Sequence, residues 1–142
     1  MPRPIEDVAA DFDSLTRRDF EPTYSDRLYG LCDEMQALNA PALAAPILFR
    51  TMERLDGVDL GTPGPLVHTL EAWPGEYERF LTASIRRKPT PLAVWMVNRI
   101  LNTKPADAEE WLDLLRSVAL HPSARAHTKA MALRSLEYQA RA

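Results

Sequence analysis

Glycine, cysteine and histidine are scarce in this 142-residue chain, and each scarcity excludes a kind of chemistry. The five glycines form no rich stretch of the sort that cradles a phosphate. Gly61-Thr62-Pro63-Gly64 holds two of them, but it lacks the lysine and the preceding strand of a phosphate loop. Cys32 is the only cysteine, which rules out an internal disulfide; its neighbours Leu28, Leu31 and Met35 mark it as a small core residue rather than a reactive thiol. The histidines, His68, His121 and His127, fall into no metal-ligand spacing, so neither a metal nor a cofactor is expected. The longest strongly apolar run, Leu92 to Val97, is far too short to span a membrane. Met1-Pro2-Arg3, followed by acidic residues, is not a signal peptide, and the expected location is the cytoplasm.

Proline is abundant instead, with twelve residues falling between periodic segments as helix connectors do. Pro63-Gly64-Pro65-Leu66 returns as Pro89-Thr90-Pro91-Leu92. Thr62 and Thr90 each precede a proline, as an N-cap precedes Pro at the first helical position. The ring presets φ there, and the missing N–H costs nothing. A helix-start signal repeated in this way suggests stacked helical hairpins, an architecture that binds macromolecules far more often than it catalyses.

The apolar periodicity agrees. Ile5, Val8, Ala9, Phe12 and Leu15 give a first helix, with Arg17 and Arg18 at its C-terminal end. Thr23 or Ser25 can cap a second, which runs to about Leu38 with Leu28, Leu31, Cys32, Met35 and Leu38 inward. A third covers about 42–55, with Leu43, Ile47, Leu48, Met52 and Leu55 inward and Pro46 near its first turn. The fourth follows Thr62 and carries Leu66, Val67 and Leu70; Trp73-Pro74-Gly75 breaks it. The fifth, about 76–87, presents Tyr77, Phe80, Leu81 and Ile85. The sixth, 91–102, is apolar nearly all round and is expected at the centre of the core. Asp107 with Glu110 resembles a capping box opening a seventh, whose inward residues are Trp111, Leu114, Leu115 and Val118. His121-Pro122 stops it, with His121 capping carbonyls; Ser123 caps an eighth packed by Met131, Leu133 and Leu136. No stretch alternates cleanly with period two. The expectation is an all-α fold: one domain over 1–142, with seven or eight short helices stacked as HEAT-like hairpins around Trp95, Met96, Ile100, Trp111, Leu115 and Val118.

Charge is uneven. Residues 1–60 hold 12 Asp/Glu against 6 Lys/Arg, or −6, while residues 61–142 hold 8 against 11, or +3. An acidic half argues against nucleic acid as the partner and for a basic protein. The candidate contacts are Asp7, Asp11, Asp33 and Glu34, with a second patch of Glu71, Trp73, Glu76 and Tyr77 in which aromatics alternate with carboxylates. The alternative for Trp73 and Tyr77 is that they pin the inter-helix turn. Gly61 and Pro63 are assigned to turn geometry and Trp111 to the core. Asn98 and Arg99, polar residues in the apolar sixth helix, either bond to a neighbouring turn such as 61–65 or line a concave surface. His68 and Glu71 lie one helical turn apart, a spacing open to acid–base work but more often a packing contact.

Leu60-Gly61-Thr62-Pro63-Gly64-Pro65-Leu66-Val67-His68-Thr69-Leu70-Glu71, followed by Trp95-Met96-Val97-Asn98-Arg99-Ile100-Leu101-Asn102, resembles the small HEAT-like immunity proteins of bacterial polymorphic toxin systems. The resemblance covers residues 40–122 or so and implies stoichiometric inhibition of a cognate toxin domain in the cytoplasm, without a cofactor. It transfers no contact residues. The rival readings are a helical adaptor or chaperone for another protein and, less favoured, an enzyme using His68 and Glu71.

Overall fold

A computed structural model describes residues 2–21 and 25–142. Every regular element among them is helical: eight α-helices and one 3-10 turn, with no strand. They fall into two compact units, residues 1–80 and 81–142.

In the first unit, α1 (Ile5–Asp13) opens after Pro4 with Glu6 and Asp7 in its first turn, where the helix dipole favours negative charge. Val8 and Phe12 are buried. The helix stops earlier than the apolar pattern suggests. Arg17 and Arg18 belong instead to the 3-10 turn Arg17–Phe20, closed by Asp19 Oδ2 accepting from Thr16 N–H at 2.7 Å. The cation at the carboxyl end of α1 comes from elsewhere: Arg54 donates to the carbonyls of Phe12 at 2.8 Å and Leu15 at 2.7 Å.

Helix α2 (Asp26–Leu38) is capped by Ser25, whose Oγ accepts from Leu28 N–H at 3.1 Å. The alternative cap, Thr23, lies outside the described residues. Asn39, left-handed at φ 49°, ends the helix. In α3 (Pro41–Arg54) the buried stripe is Ala44, Ala45, Leu48, Phe49, Thr51 and Met52. Leu43 was expected inward but is 61% exposed, because it sits one position out of phase with that stripe. Pro46 lies further inside the helix than expected. Helix α1 packs on α2 and α3, and α4 (Gly64–Glu71) packs on the same two.

The start of α4 departs from the Thr-Pro signal. Asp59 Oδ1 accepts from Gly61 N–H, Gly61 turns at φ +103° and Gly64 at φ +81°. The helix therefore begins at Gly64, with Pro63 as N-cap and no cap from Thr62. A Cβ on Gly61 would lie 2.5 Å from Gly64 Cα, so this backbone approach requires glycine. The second copy does obey the signal: Thr90 Oγ1 accepts from Ala93 N–H, with Pro91 next in line.

Helix α5 (Glu78–Arg87) spans the boundary between the units. In the second unit, α6 (Pro91–Asn102), α7 (Ala108–Ala119) and α8 (Ala126–Arg141) pack mutually. Met96, Trp111, Leu115 and Val118 are buried as expected. Trp95 and Ile100 are only half-buried; Trp95 lies outside the arc of α6 defined by Ala93, Val94, Met96, Val97 and Leu101, and Ile100 lies in the last turn of the helix. Asp107 is the N-cap of α7, but its backbone at ψ 27° is not extended and its carboxylate makes no cap bond. The cap of α8 is Arg125 rather than Ser123, and Leu133 is 53% exposed.

Candidate functional site

The packing of α1 on α2 gathers the first acidic group. Asp7 and Asp11 share one face of α1 at i, i+4, and Asp33 and Glu34 are consecutive on α2. Arg3, ahead of α1, ties the two helices together. Its Nε and Nη2 donate to the two carboxylate oxygens of Glu34 at 2.8 and 2.9 Å, and its Nη1 meets Asp11 Oδ2 at 2.8 Å. The bidentate Arg3 contact holds Glu34 below the usual carboxylate range and pushes Arg3 above its own ordinary value. Asp7 and Asp33 are exposed and make no ion pair among the described residues. Arg3 thus bridges Asp11 and Glu34, while Asp7 and Asp33 stay unpaired, leaving the two helices with excess negative charge that can receive cations. Sequence reasoning missed Arg3; its signal was a lone cation just before an acidic helix. Further along, Arg50 pairs with Asp13 at 3.3 Å, and Arg27 reaches Asp19 at 3.5 Å. Asp19 is held below its ordinary range first by the Thr16 N–H and then by Arg27.

The second patch does not form as a surface. Trp73 and Tyr77 are 6% and 5% exposed, so their rings pin the α4–α5 turn and offer nothing to a partner. The turn is tied locally, with Gly75 N–H donating to Glu78 Oε2 at 3.1 Å. Trp73 Nε1–H is buried without an acceptor among the described residues. Of the four, only Glu76 is exposed; Glu71 is half-buried. His68 is exposed on the same helix as Glu71.

In the second unit, Asn98 finds its partner on α8 and not in the 61–65 turn. Gln139 Nε2 donates to Asn98 Oδ1 at 2.8 Å and to Asn102 Oδ1 at 2.9 Å. Arg99 is exposed and stacks over the Trp95 ring, 5.0 Å from its centroid. That pairing corrects the assignment of Trp95 to the core. His121 does cap a carbonyl, that of Arg86 at 2.7 Å, while its Nδ1 accepts from Ser123 N–H at 3.0 Å. With Nδ1 accepting, the proton of the neutral ring sits on Nε2.

Burial pushes the Cys32 thiol up to about 12, so it stays protonated and a poor nucleophile at neutral pH. Among the described residues no group of three His, Cys, Asp or Glu side chains could hold a metal ion, and no helix is long and apolar enough to cross a membrane. Comparison with family models, with curated proteins and with solved structures finds no match to this chain.

Proposed function

We propose that the protein is an immunity protein that binds and neutralises a cognate bacterial toxin domain, as a stoichiometric cytoplasmic inhibitor without a cofactor. The observation that carries the reading is the acidic excess of α1 and α2, where Arg3 bridges Asp11 and Glu34 and leaves Asp7 and Asp33 exposed and unpaired among the described residues. The sequence resemblance of residues 40–122 supports it from a separate direction. Such a face favours a basic partner: opposite charge steers encounter, and arginines arriving from the partner find carboxylates already ordered by Arg3. Asp7 and Asp33 have no ion pair to surrender and are the natural first contacts.

The test uses the toxin domain encoded beside this chain's gene. Titration calorimetry should give one chain per toxin domain, and the toxin's activity should fall in step with occupancy. Changing Asp7→Lys and Asp33→Lys together should slow association about tenfold at low ionic strength, leaving the fold intact. Absence of a complex rejects the immunity reading. A complex that is indifferent to these two changes keeps the inhibitor but moves its contact surface.

A further inference from the structure

We propose that the solvent face of α8 docks a second copy of this chain, through the carboxylates on α1 and α2 of that copy. This inference does not rest on the toxin reading, since it requires only the chain itself.

Helix α8 uses one side for folding. Thr128 and Ala132 are fully buried, and Gln139 is bonded to Asn98 and Asn102. The opposite side carries His127, Arg134, Tyr138 and Arg141, spaced so that they form one stripe along the helix. Tyr138 is 56% exposed. Neither Arg134 nor Arg141 makes a hydrogen bond or ion pair among the described residues, and Glu137 is the only carboxylate on the helix. Arginine and tyrosine are the residue types that most often carry binding energy at protein interfaces.

Charge complementarity identifies the occupant. Residues 81–142 hold 10 Lys/Arg against 5 Asp/Glu, or +5. Residues 1–80 hold 15 Asp/Glu against 7 Lys/Arg, or −8. Glu6, Asp7 and Asp33 are exposed without ion pairs on the acidic unit, just as Arg134 and Arg141 are on the basic one. Each copy therefore carries an unmatched anion face and an unmatched cation face in equal number. A contact between unlike faces either closes reciprocally as a two-fold dimer or adds further copies, and in both cases the mass rises above one chain.

Sedimentation equilibrium on the purified chain tests this. At an ionic strength of about 0.01 M, where screening reaches about 30 Å, the weight-average mass should exceed the 16.0 kDa of one chain. At about 1 M salt, where screening falls to about 3 Å, it should return to one chain, with the apparent Kd raised at least about tenfold. Arg134→Glu with Arg141→Glu, and separately Asp7→Lys with Asp33→Lys, should each restore the single chain at low salt. All four residues are exposed, and circular dichroism checks that both variants fold. Mixing the variants should restore a mass above one chain, because each then meets a partner whose faces are opposite in charge to its own. A wild-type chain that stays at 16.0 kDa in low salt overturns the proposal, as does assembly insensitive to salt or unaffected by either pair of changes.

Discussion

Trp95 and Trp111 show how far a residue's contribution depends on the neighbours that remove it from water. Trp111 is buried on α7, beside the stripe of Leu114, Leu115 and Val118. Trp95, on the rim of α6, keeps one face half-open and is covered there by the Arg99 guanidinium. Trp111→Ala should cost about 3–5 kcal/mol, the range for deleting a large buried aromatic side chain. Trp95→Ala removes roughly half that burial and should cost about 2 kcal/mol. Urea denaturation of the two variants reads the difference; equal losses would show that Trp95 supports the core as fully as Trp111 does. Cys32 makes the same point from the chemical side. Its apolar neighbours remove its reactivity through desolvation, so its hydrophobic context in the sequence already indicated its role.

At the scale of elements, apolar periodicity located all eight helices, and the seams between them account for the discrepancies. The α6 boundaries follow directly from Thr90, Pro91 and the run up to Asn102, because cap, first turn and apolar stripe agree there. The same Thr-Pro pair fails at Thr62, where left-handed glycines on both sides, Gly61 and Gly64, reshape the backbone so that Pro63 is the N-cap and not the first helical residue. Local sequence could not show this, because the close approach of Gly61 to Gly64 is a property of the folded turn. The turn makes a sharp prediction. Gly61→Val adds both an unfavourable φ and a Cβ 2.5 Å from Gly64 Cα, so it should destabilise by about 2 kcal/mol or more. Gly64→Ala also meets an unfavourable φ, but no atom lies within 4 Å of its Cβ, so it should cost less. Thermal melts of both variants check the order, and the reverse ranking would place the strain elsewhere. Arg54 and Ser123 are further examples: a distant cation serves the end of α1, and a nearby imidazole claims the serine expected to cap α8.

At the scale of the whole molecule, charge asymmetry was legible from residue counts alone, whereas the form of the candidate site was not. Asp7, Asp11, Asp33 and Glu34 could be named as acidic positions, but only the packing of α1 on α2 brings Asp11 to Glu34, and only the fold reveals Arg3 between those two. Trp73 and Tyr77 resembled interface anchors because alternation with carboxylates looks the same in sequence whether the rings face solvent or the interior. The asymmetry extends to acid response. Both carboxylates held below their usual range, Asp19 and Glu34, lie within residues 1–80. A carboxylate whose folded value is depressed stabilises the fold fully above its unfolded value, and that contribution disappears as pH falls through the folded value. Acidification from about pH 6 to about pH 3 should therefore weaken residues 1–80 more than residues 81–142. Amide hydrogen-exchange protection, corrected for the intrinsic pH dependence, distinguishes the two units in one sample. Arg3→Ala removes the first cause of the Glu34 depression, so it should lower protection in α1 and α2 near neutral pH and flatten their decline in acid. If Arg3→Ala leaves the acid profile of α1 and α2 unchanged, the Arg3–Glu34 contact does not set the stability of that face.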